Sequence, residues 1–197
     1  MSMKRPEPAA RMHRADTILL LSGGLDSTTL LYDLRRSGMI VRCLLVDYGQ
    51  RHVQELVFAK AHCHRLGAIY TTMQIPMLGI NDETWVVPNR NAILVSLALS
   101  EAIRTWTKSV HIGCNSDDAK DFPDCRPEFI EVMNAASKFA GGNVEVLAPY
   151  IHKRKRDIAS TAKDLGVPFH DIWTCYQGGA KPCGECPACI KLKAALV

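Results

Sequence analysis

The sequence predicts an α/β protein built on a doubly wound, five-stranded parallel sheet, with a small cysteine-rich segment at its end. Three observations carry that prediction. Short apolar runs rich in β-branched residues alternate with helical patterns along the chain, the order that places helices on both faces of a parallel sheet. The first run, Thr17 to Leu21, opens directly into Ser22-Gly23-Gly24-Leu25-Asp26-Ser27-Thr28, a strand-to-helix turn of the kind that binds phosphate. A chain of 197 residues, 47% hydrophobic, suffices for one well-buried core with no more than a small appendage.

Residues 1–15 hold Lys4, Arg5, Arg11 and Arg14 against Glu7, which is three of the four net positive charges. With Pro6 and Pro8 they read as a flexible basic arm, and the remaining body is nearly neutral, which argues against a nucleic-acid footprint. Neither a secretion signal nor a membrane span is evident, so a cytoplasmic protein is expected. After the helix from Thr28 to Arg36, Val41 to Asp47 reads as a second buried strand ending in Asp47-Tyr48-Gly49-Gln50. Gln54 to Leu66 has helical spacing closed by Gly67, and Ile69 to Ile75 is the third strand. A loop from Pro76 to Pro88 leads through Asn89-Arg90-Asn91 into Ala92 to Trp106, whose apolar residues run almost all round and predict a buried helix. Val110 to Gly113 is a short strand, followed by a polar stretch from Cys114 to Asp124 and a helix from Arg126 to about Phe139. Val144 to Leu147 is the fifth strand, and Lys153 to Leu165 an amphipathic helix closed by Gly166. Residues 16–170 are thus expected to form the main domain and 171–197 a separate cysteine-rich segment.

The glycines of the first turn let the backbone approach an anion, and the unpartnered amides of the following helix point at it. Ser22, Ser27 and Thr28 add hydroxyl donors. Asp26 is misplaced beside a polyphosphate unless a magnesium ion lies between them, so it is assigned to metal. Ligands of parallel sheets bind beyond the carboxyl ends of the strands, which puts Asp47 and Tyr48 on the same rim as candidate nucleotide contacts. Lys153-Arg154-Lys155-Arg156 starts a helix on that rim, where one lysine would neutralise polyphosphate charge; position alone does not say which.

Four of eight cysteines crowd the tail as Cys175, Cys183, Cys186 and Cys189. Cys-x2-Cys spacing in a reducing compartment reads as metal binding. Four protein ligands close the site, so structural zinc is expected, with iron–sulfur ligation the competing reading and Lys181, Lys191 and Lys193 balancing the thiolate charge. Cys43, Cys63, Cys114 and Cys125 read as small buried apolar residues rather than nucleophiles.

The phosphate turn resembles that of the N-type ATP pyrophosphatases, whose fold is that of the adenine nucleotide alpha hydrolases. Taken with Tyr48-Gly49-Gln50-Arg51-His52, Val87-Pro88-Asn89-Arg90-Asn91, Phe122-Pro123-Asp124-Cys125-Arg126-Pro127-Glu128-Phe129, Thr174-Cys175-Tyr176 and Pro182-Cys183-Gly184-Glu185-Cys186-Pro187-Ala188-Cys189, it is similar to the 7-cyano-7-deazaguanine synthase (QueC) family over residues 17–196. The resemblance implies an ATP-dependent carbon–nitrogen ligase that adenylates 7-carboxy-7-deazaguanine, lets ammonia form the amide, and adenylates the amide to leave the nitrile. It implies Ser22, Gly23, Gly24, Asp26, Ser27 and Thr28 on pyrophosphate and magnesium, with Lys155 as the phosphate-side lysine. Arg90, Asn91, Asp124 and Arg126 would stand near the substrate, with Arg90 also catalytic. A homodimer is implied as well.

The chain departs from the family pattern in having Asn89 where glycine is usual, Leu25 where glutamine is common, and Ala119 to Phe122 where Ser-Gly-Tyr stands; its loop from 76 to 88 is also short. All but Leu25 fall around the expected substrate site. Two other readings therefore stand beside the first: a relative that stops at the amide or attaches the deazaguanine to a protein or nucleic acid, and a non-catalytic nucleotide- and zinc-binding module.

Overall fold

The computed structural model describes residues 15–75 and 87–196; most of the basic arm and of the 76–88 loop lie outside them. Five parallel strands, β1 (Thr17–Leu20), β2 (Val41–Asp47), β3 (Ile69–Gln74), β4 (Ser109–His111) and β5 (Glu145–Leu147), stand in the order β3-β2-β1-β4-β5. Around them pack α1 (Leu25–Arg36), α2 (Glu55–Leu66), α3 (Arg90–Arg104), α4 (Pro127–Phe139) and α5 (Lys155–Asp164), and α6 (Pro187–Ala195) follows in the cysteine-rich segment.

Successive strand residues face opposite sides, and the two sides bury separate cores. Leu19, Leu21, Cys43 and Leu45 pack against Leu30, Leu31, Ala59 and Ile158 of α1, α2 and α5. Ile18, Leu20, Leu44 and Val46 pack against Val95, Ala98, Ala102 and Met133 of α3 and α4. This double covering is why the central strands read as continuous apolar runs. The chain winds outward from β1 to β3, then crosses to β4 on the other side of β1, so the strand order reverses beside β1. Such reversals open a crevice at the carboxyl ends of the strands.

One expectation needs correction, and one helix was missed. The helix from 92 to 106 runs from 90 to 104 and is not buried all round: Ser96, Ser100 and Arg104 line an exposed edge, while Ile93, Leu94, Leu97 and Ile103 are half-buried. Serines spaced four apart were the mark of that edge. Helix α6 was not anticipated, although Pro187 stands at its first turn, where proline favours helix initiation. The cysteine spacing had masked a helical pattern.

Candidate active site and metal centre

The phosphate turn closes on itself through short hydrogen bonds. The Ser22 and Ser27 hydroxyls are 3.0 Å apart, and Gly24 N donates to Ser22 Oγ at 3.3 Å. Gly23 has φ +88°, and a Cβ there would collide with the Glu55 carbonyl oxygen, so only glycine lets the turn lie on α2. From the other side Gly113 packs so closely that a Cβ would lie 3.0 Å from Ser27 N. Trp173 N donates to Gly23 O at 3.0 Å, fastening the C-terminal segment to the turn.

Over the first turn of α1 stands a charged cluster. Lys155 Nζ lies 3.3 Å from Asp26 Oδ2 and 3.1 Å from Asp118 Oδ2. Burial raises the Asp26 pKa to about 6 against the pull of Lys155. Burial opposes ionisation of Asp118 too, but Lys155, Asn115 and Lys191 hold it below the ordinary range. Burial disfavours the Lys155 charge, and the two carboxylates more than offset that, raising its pKa. Asn115 shapes the loop that delivers Asp118: its Oδ1 accepts from the Asp117 and Asp118 amides at 3.0 and 2.9 Å, and its Nδ2 donates to Asp118 Oδ2 at 2.8 Å. Lys191, expected to balance the thiolates, instead reaches Asp118 Oδ1 at 3.2 Å and Asp121 Oδ2 at 2.8 Å.

A cleft with two lobes opens above. The inner lobe, about 240 Å³, runs from Ser22, Gly24 and Asp26 past the strand ends at Leu44, Val46 and Ile112. The outer lobe, about 450 Å³, is walled by Val87, Phe122, Pro123, Asp124 and Lys191. Tyr48, His52, Arg90, Asp118, Lys155 and Tyr176 line both. Arg90 begins α3 because Asn89 holds φ 58°, a left-handed conformation that glycine and then asparagine adopt most readily. Asparagine here thus takes a backbone conformation that glycine would also adopt. Asn91 Nδ2 donates to the Asp124 carbonyl at 3.4 Å, coupling the start of α3 to the outer wall.

The structure draws Ser22, Gly24, Asp26, Ser27, Tyr48, Arg90, Asn91, Asp124 and Lys155 to this cleft. Other sequence candidates stand off it. Gly23 faces α2, and Thr28 is buried with Oγ1 unpaired among the described residues. Asp47 Oδ1 accepts from Gly49 N at 3.0 Å, bracing the turn after β2. Arg126 is exposed, its Nε donating to the Ala119 carbonyl at 2.9 Å. Sequence reasoning missed Asp118, Glu55, His52, Tyr176 and Lys191. Glu55 was detectable: with Ala59, His62 and Cys63 it belongs to the buried stripe of α2. Its Oε1 accepts from Gln50 Nε2 at 3.1 Å, and burial pushes its pKa up to about 8. Burial and Arg90 lower that of His52 to about 4. Tyr48 is also raised, by burial against Arg90.

Below the outer lobe the Sγ atoms of Cys175, Cys183, Cys186 and Cys189 all lie within 4.8 Å of one another, able to hold a metal ion. Amides of the knuckle turn inward, Cys183 N to Cys175 Sγ and Cys186 N to Cys183 Sγ, both at 3.3 Å. Backbone donors of Glu185 and Cys186 lower the Cys183 pKa to about 7, favouring the thiolate that metals require. Of the other cysteines, Cys43, Cys63 and Cys114 are buried as expected, and Cys125 is half-buried beside Asn91. No helix among the described residues is long and apolar enough to cross a membrane.

Among solved structures, the U34-tRNA thiolase NcsA from Methanococcus maripaludis, determined with its 4Fe-4S cluster, superposes with a TM-score of 0.59 at 14% identity, covering 96% of this chain and 67% of that one. NMN synthetase from Francisella tularensis gives 0.58 at 16% identity over 87% and 71%. At such identities the likeness is one of fold. Curated sequences are nearer: the 7-cyano-7-deazaguanine synthase of Marinomonas sp. is 35% identical over 196 residues, 88% of this chain and 90% of its own length. That of Caldicellulosiruptor bescii is 37% identical over 196 residues, 88% and 89%. The family model described as queuosine biosynthesis protein QueC matches residues 16–197, the same span that carries the sheet, the cleft and the cysteine cluster, and the chain belongs to that family.

Proposed function

We propose that the chain is an ATP-dependent ligase that converts 7-carboxy-7-deazaguanine and ammonia to 7-cyano-7-deazaguanine through adenylated acid and amide. The observation that carries this reading is Lys155 seated between Asp26 and Asp118 above the phosphate turn, opposite Arg90 in one continuous cleft. The inner lobe fits a nucleotide, its polyphosphate held by the Ser22, Gly24 and Ser27 donors and its charge met by Lys155. Asp26 Oδ1 is buried without a hydrogen-bond partner among the described residues, a hard oxygen donor suited to Mg²⁺. When bound, magnesium would supply charge neutralisation between this carboxylate and the phosphates.

The outer lobe suits a flat, polar base: Tyr48, Phe122 and Tyr176 offer aromatic surface and Arg90 a cation for the substrate carboxylate. A carboxylate oxygen and an amide oxygen are both poor leaving groups, and transfer of an adenylyl group turns each into AMP, which departs readily. Asp124 borders the same lobe and Asn91 the inner one, whereas Arg126, exposed and off both lobes, is the weakest of the expected substrate contacts. Zn²⁺ is the metal proposed for the cysteines. Tetrahedral Zn–S bonds of about 2.3 Å separate sulfurs by roughly 3.8 Å, close to the 4.0 Å between Cys183 and Cys189. Four ligands leave no open position, so the ion would hold the segment in place. Thiolates of this kind persist in a reducing compartment, consistent with a cytoplasmic location. Homodimerisation, expected from the family resemblance, is read by light scattering.

The test is mass spectrometry of base and nucleotide together after incubation with 7-carboxy-7-deazaguanine, ammonium, magnesium and ATP. Nitrile with two AMP per base supports the reading. Amide accumulating with one AMP would show that the departures between Ala119 and Phe122 stop the second step, and an inert free base would direct the search to a protein or nucleic-acid acceptor.

A further inference from the structure

Lys191 belongs to the cysteine-rich helix, two residues beyond Cys189, yet it ends in the ATP cleft. Its ammonium bridges Asp118 and Asp121 at 3.2 and 2.8 Å, and Asp118 in turn bridges to Lys155 at 3.1 Å. Charges therefore alternate without a break from Asp26 through Lys155, Asp118 and Lys191 to Asp121. The side chains of Asp26, Lys155 and Asp118 are only 16%, 18% and 21% exposed, and that of Lys191 34%.

This arrangement solves an electrostatic problem that the proposed function creates. To meet a polyphosphate, Lys155 must give up contact with at least one of its carboxylates. Asp26 would then face the magnesium that accompanies the phosphates, but without Lys191 Asp118 would keep only the Asn115 hydrogen bond, and a largely buried carboxylate left without a counter-charge is strongly disfavoured. It would either hold Lys155 back or repel the incoming phosphates.

We infer that Lys191 is a positioning residue for the ATP site: it takes over the charge of Asp118 and so frees Lys155 for the polyphosphate. The role rests on the functional reading above, and it ties nucleotide binding to the cysteine cluster, because α6 is the element that brings Lys191 across. Phe122 lies beneath the same ammonium, with Nζ 5.8 Å from its ring centroid, so the outer wall of the cleft is set by the same side chain.

The experiment compares wild type, Lys191→Met, Lys191→Arg and the double variant Lys191→Met/Asp118→Asn. ATP affinity is measured by calorimetry with magnesium, turnover by AMP release, and bound metal by elemental analysis. Lys191→Met is expected to bind ATP about tenfold more weakly with its metal retained, and Lys191→Arg to bind nearly as wild type. The double variant should regain most of the lost affinity, since the carboxylate that needed compensation is gone. A Lys191→Met protein that binds and turns over ATP as wild type overturns the inference. So does a loss that Asp118→Asn does not relieve or that accompanies loss of metal, either of which would make Lys191 a prop for α6. Wild type that binds no ATP would remove the functional reading itself, and the inference with it.

Discussion

Gly23 and Glu55 are packed backbone to backbone, the glycine turning its bare α-carbon onto the carbonyl oxygen at the start of α2. The phosphate turn is therefore supported by the neighbouring crossover as well as by its own strand. Its two glycines differ in kind: Gly23 has φ +88° and no space for a side chain, whereas at Gly24 a Cβ would meet nothing closer than Ser22 Oγ at 3.4 Å.

Substitution should separate these two roles. Gly23→Ala is expected to cost about 2–4 kcal/mol of stability, from left-handed strain and from collision with backbone that cannot swing away. Gly24→Ala should fold with stability within about 1 kcal/mol of wild type and instead lose ATP affinity, because the added methyl stands where phosphate approaches. Urea unfolding and ATP titration of both proteins test this. Equal stabilities would mean that the turn can lift off α2.

Asp26 carries a second prediction. Its carboxylate is desolvated, with a pKa raised to about 6, so its charge does not stabilise the fold at neutral pH. Asp26→Ala should unfold at a temperature no lower than wild type yet lose at least about a hundredfold in turnover. Activity near wild type would remove Asp26 from the magnesium and phosphate site.

The cysteine cluster should contain about one zinc per chain. Cys189→Ser, which removes a buried thiol of the cluster, is expected to release the metal and to lower ATP turnover together, since α6 and Trp173 both reach the cleft. Elemental analysis with an absorption spectrum decides the metal. Iron with a broad visible band would replace zinc by a cluster.

The sheet was legible because each central strand is buried on both faces and so reads as an unbroken apolar run, and the phosphate turn because its chemistry is contiguous in sequence. The charged cluster was harder to see. Lys155 could be picked out from its neighbours only through the family resemblance, and Asp118 lay in a run of acidic residues that looked like surface. What distinguishes Asp118 is the Asn115 side chain that turns its loop inward, together with two lysines arriving from α5 and α6, contacts 37 and 73 residues away. Asn89 shows the converse: a departure that looked like a change of substrate site is, in backbone terms, a conservative replacement at φ 58°.

Glu55 gives a prediction in pH. Its carboxyl lies on the cleft wall between Gln50 and His52, with Oε2 3.6 Å from His52 Nε2. Burial raises its pKa from the ordinary 4.5 to about 8, against the opposing pull of Gln50 and Arg90. Between those values the unfolded chain has released a proton that the folded protein keeps. The unfolded state then binds fewer protons, so the stability contributed by the protonated acid is fully present below pH 4.5 and is lost as pH rises through 8. Glu55→Gln abolishes this titration while leaving an oxygen to accept from Gln50. The variant should match wild type near pH 5 and become progressively more stable than it toward pH 8, by up to several kcal/mol. Asp26 titrates in the same direction but in both proteins, so it cancels from the difference. Urea unfolding at three pH values across this range measures it, and a constant difference would mean that Arg90 holds Glu55 ionised throughout.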